Sequence, residues 1–301
     1  MRNEIDGKTA VYGLIGNPVA HSFSPLIHNT LADGLGENLL YTTFPVKDAE
    51  QLETAVKGAG ALGIQGMNVT VPYKSAVIPF LLETEPGAEA IGAVNTLVAI
   101  KNEDGIVRGY RGYNTDYMGL KRALEEMKIC LSDMSVILIG AGGAARAAAF
   151  MCGAAGVKNL SFLNRTAQKA ENLARELHLS FPEMKIGVHG LSEAAKEAER
   201  LERVLAIQCT SVGLAPNTEA SPIDDPAFYA NIEAAYDCIY NPEETKFLQM
   251  VHAAGKPGRS GMDMLLWQGI LAFQFWTGKM PERTLIEEIR RKLYAFIRKG
   301  E

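Results

Sequence analysis

No stretch of this 301-residue chain approaches the roughly 20 consecutive apolar residues that cross a bilayer as a helix. The longest apolar run, Met264 to Trp276, is broken by Gln268, Gly269 and Gln274 and reads as a core helix. Cysteine is scarce too. Cys130, Cys152, Cys209 and Cys238 lie far apart with no C-x-x-C pair, which excludes a disulfide framework and a zinc site and predicts four buried thiols. The five histidines show neither i, i+4 pairing nor nearby cysteines, so no metal is expected; each reads as structural or solvated, the alternative for His21, beside the Ser22–Ser24 pair, being to line a cleft. Runs of basic residues are missing and the net charge is -5, which argues against nucleic acid or an anionic membrane as partner. The opening MRNEIDGKTAVYGLIG lacks the charged-then-apolar layout of a secretory signal, making the cytoplasm the expected compartment.

What remains is an ordinary globular composition, 47% hydrophobic and 22% charged, in a chain long enough for two domains. VYGLIG, Pro25 to Leu35, LLYTTFPV, Ala49 to Ala59 and IQGMNVTV alternate strand-like and helix-like runs, a βαβ rhythm that predicts a parallel sheet. AVNTLVAI and GIVRGYRG, flanking Asn102-Glu103-Asp104-Gly105, predict a hairpin at the sheet edge. From Asp116, Leu120, Ala123, Leu124 and Met127 recur at the spacing of one buried helical stripe, in a helix that links two domains. SVILIG, an alanine-rich helix and NLSFLN then form a second βαβ unit. Leu285, Ile289, Leu293 and Phe296 predict a closing amphipathic helix.

Gly140-Ala141-Gly142-Gly143-Ala144-Ala145 fits the G-x-G-x-x-A dinucleotide loop, and its context, an apolar strand before and a helix after, is the one the mechanism needs. Glycines allow the tight turn and let a pyrophosphate reach backbone amides at the helix start. About 20 residues on, an NAD site places an acid at the strand end. Here the strand ends Asn164-Arg165-Thr166, and Lys169 follows within a turn; two cations suit a 2′-phosphate and predict NADP. Thr210 and Ser211, after the apolar VLAIQ, stand where the nicotinamide half of such a ligand is expected.

His21-Ser22-Phe23-Ser24-Pro25 follows the first strand, with hydroxyls at i and i+2 able to grip a carboxylate; alternatively Ser24 is a plain helix cap. Asn68 to Lys74 (NVTVPYK), Gly92 to Thr96 (GAVNT) and Gly112 to Asp116 (GYNTD) each end a strand-like run in amide, hydroxyl and charged groups. Taken alone, Lys74 reads as an exposed lysine and Asp116 as a helix cap. Together with the glycine loop, the NRT segment, Tyr240-Asn241-Pro242 and the GMDMLLWQG run from Gly261 to Gly269, these motifs resemble the shikimate dehydrogenase family, in order, from about residue 12 to 278.

The resemblance implies an α/β chain of two domains: an N-terminal mixed α/β substrate domain, 1–115 plus 262–301, onto which the C-terminal helices pack back, and a Rossmann NADP-binding domain, 116–261, with substrate held between them. It implies that Ser22 and Ser24 hold the carboxylate of a small polyol acid, that Asn68, Thr70, Asn95, Asp116 and Gln268 bind its hydroxyls, and that Tyr240 also faces it. Lys74 and Asp116 become the catalytic pair, and Gly140, Ala141, Gly142, Gly143, Ala144, Asn164, Arg165, Thr166, Lys169, Thr210, Ser211, Gly261 and Met264 the cofactor contacts. The expected reaction is NADPH-dependent reduction of 3-dehydroshikimate to shikimate in aromatic amino-acid biosynthesis, by a monomer or homodimer acting on small molecules. A carboxylate beside Lys74 favours its ammonium form, which suits it as proton donor to the developing alkoxide. Two other readings stay open: the quinate/shikimate branch of the family, whose members can use NAD and which the YNPEETKFL and GMDMLLWQG segments resemble, and a Rossmann ligand sensor without catalysis.

Overall fold

The computed structural model describes residues 5–300, so both chain ends of the expected domain limits, 1 and 301, lie outside the described residues. Among the described residues two compact units are present, 5–118 with 266–300 and 119–265, and the divisions fall inside helices. The first unit runs β1 (Ala10–Gly16), α1 (Ser24–Leu35), β2 (Leu39–Pro45), α2 (Leu52–Ala61), β3 (Gly66–Val69), β4 (Glu83–Thr84), α3 (Pro86–Ile91), β5 (Thr96–Lys101), β6 (Val107–Tyr113) and the start of α4 (Thr115–Glu126). Its sheet has the order β2-β1-β3-β5-β6-β4. β2, β1 and β3 are parallel, whereas β5 runs antiparallel to both β3 and β6. The sheet is therefore mixed instead of parallel throughout, because a turn as short as Asn102 to Gly105 can only reverse the chain. That hairpin is not the edge: β4, a two-residue strand too short to show in the sequence pattern, pairs outside β6.

The second unit carries β7 (Ser135–Ile139), α5 (Gly143–Ala154), β8 (Asn159–Leu163), α6 (Ala167–Ser180), β9 (Lys185–His189), α7 (Ala194–Arg200), β10 (Val204–Gln208), α8 (Pro226–Asn231), β11 (Ala234–Asp237), α9 (Lys246–Ala253) and β12 (Gly258–Arg259). The strand order β9-β8-β7-β10-β11-β12, with every pairing parallel, is the 3-2-1-4-5-6 order of a doubly wound Rossmann sheet. Val136 to Ile139 and Val204 to Ile207 are completely buried, as expected of central strands covered by helices on both faces.

α10 (Met262–Thr277) and α11 (Arg283–Gly300) close the chain, and from Leu266 onward they belong to the first unit. There Trp276 lies against Tyr12 and Tyr41 and donates its indole N–H to the Leu97 carbonyl at 2.9 Å. The buried stripe of α11 is Ile286, Ile289, Leu293 and Ile297; Phe296 is exposed instead, edge-on to Phe23 at 5.4 Å between ring centres. One residue is about 100° of helical turn, enough to move a side chain off the core face. In α4, Leu120, Ala123 and Leu124 are buried, while Met127 lies just past the helix end and is only half-buried. Among the described residues no helix is long and apolar enough to cross a membrane.

One buried acid makes the second unit's stability depend on pH. Asp237, at the end of β11, is fully buried, accepts from the Ile239 amide at 2.9 Å and the Thr245 hydroxyl at 2.6 Å, and is pushed up to about 6, because desolvation outweighs both bonds. The fold thus prefers the protonated form, and the stability this gives below about pH 4 is lost as pH rises through about 6. Relative to Asp237→Asn, the wild type should lose about 2–3 kcal/mol between pH 4 and pH 7. Denaturant melts of both proteins across that range would refute this if the two curves ran parallel.

Candidate active site

In the first unit the polar residues at the strand ends form one connected cluster. Asn114 caps α4: its Oδ1 accepts from the Asp116 amide at 3.0 Å. Asp116 is therefore a first-turn residue with its carboxylate available, and the alternative that it serves as the cap does not hold. Its Oδ2 accepts from Lys74 Nζ at 2.7 Å and its Oδ1 from Asn95 Nδ2 at 2.9 Å. Lys74 is held from the backbone as well, since its carbonyl accepts from the Val94 amide at 2.8 Å, next to Asn95. The Asn95 Oδ1 accepts from the Thr115 amide at 2.7 Å and the Thr96 hydroxyl at 3.0 Å, leaving one Nδ2 hydrogen uncommitted. Lys74 and Asp116 keep 31% and 16% of their side-chain surface, so the pair is sheltered but reachable.

Beneath this pair lies Asn68, whose hydrogen-bonding directions are all taken by protein. Its Nδ2 donates to the Asn95 carbonyl and the Thr96 hydroxyl, both at 3.1 Å, and its Oδ1 accepts from the Tyr41 hydroxyl at 2.7 Å and His28 Nε2 at 3.1 Å. Since a carbonyl fixes which end of the amide is nitrogen, His28 must donate through Nε2. Its Nδ1 is buried without a partner, and burial pushes the ring down to about 3, so it stays neutral. Asn68 can reach a ligand only by giving up one of these bonds. Sequence reasoning named Asn68 but missed His28, Tyr41, Thr96 and Thr115, which meet only in three dimensions; the signal for His28 was its position one turn beyond Ser24.

Ser22 Oγ accepts from the Ser24 amide at 3.2 Å, and Phe23, not Ser24, occupies the cap position of α1. Thr70 is half-buried, with its carbonyl accepting from the Tyr73 amide in the turn that leads to Lys74. Gln268 is buried in α10, and His21 is exposed.

The second unit supplies the other set. Gly140 follows β7 at φ +112°, and a Cβ there would stand 2.9 Å from Thr210 Cγ2 and 3.3 Å from the Cys209 backbone, so only glycine fits. Gly142 and Gly143 are exposed and face open space where a Cβ would be, at the start of α5, whose first-turn amides have no helical partner. Arg165, Thr166 and Lys169 are exposed past β8; Thr166 heads α6 without a side-chain capping bond, and no acid stands in that first turn. The β10 end is stapled by buried Gln208, which accepts from the Thr210 amide and donates to the Val212 carbonyl at 3.1 Å. Asn164 Nδ2 donates to the Thr166 carbonyl at 2.7 Å, the Met264 amide donates to the Tyr236 hydroxyl at 3.0 Å, and Tyr240 is half-buried with its phenol pushed up by burial. An open glycine turn at a helix start, two exposed cations and a spare hydroxyl fit a phosphorylated dinucleotide. Among the described residues no group of three or more His, Cys, Asp and Glu could hold a metal.

A Rossmann sheet with such a loop, joined in one chain to a sheltered lysine–carboxylate pair, defines the class of nicotinamide-dependent oxidoreductases. Family models describe residues 14–97 as a shikimate dehydrogenase substrate-binding domain, 121–211 as shikimate/quinate 5-dehydrogenase and 261–289 as a shikimate 5′-dehydrogenase C-terminal domain. The chain is 40% identical over 291 residues to the shikimate dehydrogenase (NADP(+)) of Methanothermobacter thermautotrophicus, covering 96% of this chain and 98% of the relative. It superposes with a TM-score of 0.85 on a shikimate dehydrogenase in complex with NADP+, 37% identical over 96% of this chain and 97% of that one. The Thermus thermophilus enzyme, in complex with NADP(H) and shikimate, gives 0.80 at 34% identity, covering 94% and 99%. The chain belongs to the shikimate dehydrogenase family.

Proposed function

We propose that the chain is an NADP-dependent shikimate dehydrogenase that reduces 3-dehydroshikimate to shikimate, reversibly, on the route to aromatic amino acids. The observation that carries this reading is the Lys74–Asp116 contact at 2.7 Å, fixed by Asn95, in a chain of this family. When bound, NADPH supplies the hydride. Lys74 Nζ gives one hydrogen to Asp116 and has two left, enough to hold the ketone oxygen and protonate it as negative charge develops. Asp116 keeps the ammonium aimed and has lone pairs to spare for a ring hydroxyl. Asn95 offers its remaining Nδ2 hydrogen to another hydroxyl, and Ser22, Ser24, Thr70, Gln268 and Tyr240 complete the substrate contacts. A site built from such partners rejects analogues that lack the hydroxyls. Gly140 to Ala144, Thr210, Ser211, Gly261 and Met264 hold the dinucleotide, with its 2′-phosphate on Asn164, Arg165, Thr166 and Lys169.

Residues 1–118 with 266–301 serve as the substrate domain and 119–265 as the cofactor domain. The setting is the cytoplasm, and the working unit is a monomer or a homodimer. A spectrophotometric panel of shikimate and quinate against NADP and NAD tests reaction, substrate and cofactor together. Shikimate with NADP should give the highest kcat/KM; a preference for quinate or for NAD overturns the corresponding half of the reading, and NADPH binding without turnover leaves only a sensor.

A further inference from the structure

Cys209 and Cys238 stand one residue beyond the last paired positions of β10 and β11, where Gln208 faces Asp237, and the ladder continues between them as the Cys238 amide donates to the Gln208 carbonyl at 2.8 Å. Their sulfurs are 3.8 Å apart, and both side chains are half-buried, so a small reagent can reach them. Neighbouring strands run about 4.8 Å apart, inside the range of about 4.4–6.8 Å between α-carbons that a disulfide spans. From 3.8 Å the sulfurs reach bonding distance by side-chain rotation together with a small approach of the two strand ends. No local sequence pattern hints at this: the two cysteines are 29 residues apart, and only the Rossmann strand order sets them side by side.

We propose that Cys209 and Cys238 form a redox-active dithiol that a hydroperoxide closes to a disulfide. One thiolate attacks the peroxide, breaking the O–O bond and leaving a sulfenic acid; the second sulfur displaces its oxygen as water. In balance, two thiols and one hydrogen peroxide give one disulfide and two waters, with two electrons leaving sulfur.

Closure acts where the backbone has no slack. The Cys209 amide is bonded to the Ile139 carbonyl at 2.8 Å, its own carbonyl lies against Gly140, and a Cβ on Gly261 would stand 2.2 Å from the Cys238 carbonyl oxygen. Drawing the two strand ends together therefore shifts the Gly140 turn and the Thr210–Ser211 segment, and NADPH affinity falls. This consequence rests on the cofactor placement proposed above, whereas the disulfide does not.

The test uses the full-length Cys130→Ser protein, which removes the exposed thiol. Mild hydrogen peroxide should lower the denatured thiol count from three to one, subtract about 2 Da from the intact mass and yield a peptide joining Cys209 to Cys238. By NADPH fluorescence, Kd should rise about tenfold and recover with dithiothreitol, and added Cys209→Ser or Cys238→Ser should abolish the response. Mass gains of oxygen without a cross-link, or three thiols surviving, overturn the dithiol. If the cross-link forms and Kd does not move, Arg165→Asp separates the causes: loss of NADPH affinity in that variant means the coupling is wrong, and no loss means the cofactor placement is wrong.

Discussion

Lys74→Met should lower kcat for 3-dehydroshikimate reduction by about 10²–10⁴, the usual contribution of a positioned general acid, while leaving NADPH affinity intact. Methionine keeps the length and most of the volume of the side chain but has no proton to give. The prediction separates two roles that the 2.7 Å contact with Asp116 allows. A group that only binds substrate is lost as a rise in KM with kcat preserved, whereas a proton donor is used in the transition state and is lost mainly from kcat. The removal also strands Asp116, whose Oδ2 loses its partner while Oδ1 keeps Asn95, so part of the loss belongs to a carboxylate left facing the substrate. Asp116→Asn in the same background measures that part: if the double variant is no faster than Lys74→Met, the defect is the missing proton. Steady-state kinetics at saturating NADPH decide the matter. Wild-type turnover in Lys74→Met with raised KM would remove Lys74 from the chemistry.

The sequence revealed those features that have short-range causes. SVILIG is apolar without alternation because β7 is covered on both faces, and the glycines after it are spaced by the turn they must make, so strand, loop and helix could be read in order. The strand-end motifs placed Lys74, Asn95 and Asp116 as candidates, but their mutual distances come from a sheet that joins residues 42 positions apart. What stayed hidden is what depends on that folding back. Nothing in the local pattern told that Asn68 would be held by four protein groups, that Asn114 would be the cap and leave the Asp116 carboxylate to Lys74 and Asn95, or that two of the four cysteines would meet. The thiols were expected to be buried; only Cys152 is, while Cys130 is exposed and Cys209 and Cys238 are half-buried, because strand ends and turns lie at the rim of the sheet. Phe296 failed by a single helical position, where an aromatic residue beside an isoleucine leaves the periodicity ambiguous.

Arg165→Asp should cut kcat/KM for NADPH by about 10² or more while changing that for NADH far less. A guanidinium bonded to a phosphate is a charge-assisted contact, and such bonds contribute about 1.5–3 kcal/mol each, or roughly ten- to a hundredfold. Aspartate adds repulsion against a group of nearly two negative charges, so the loss should exceed simple removal. The surroundings favour a clean result. Arg165 is exposed and has no ion-pair partner among the described residues, so its replacement strands no carboxylate and should leave the fold untouched. Lys169, also exposed one turn into α6, remains as the second cation, and its replacement in addition should deepen the effect. The 2′-hydroxyl of NADH, by contrast, gains an acceptor at the strand end, the arrangement of NAD-binding Rossmann sites. The decisive number is the ratio of the two specificity constants, because a general loss of folding or of substrate binding lowers both together. Equal losses with NADPH and NADH would mean that the phosphate sits elsewhere, and that the charge reading of Asn164 to Lys169 is wrong.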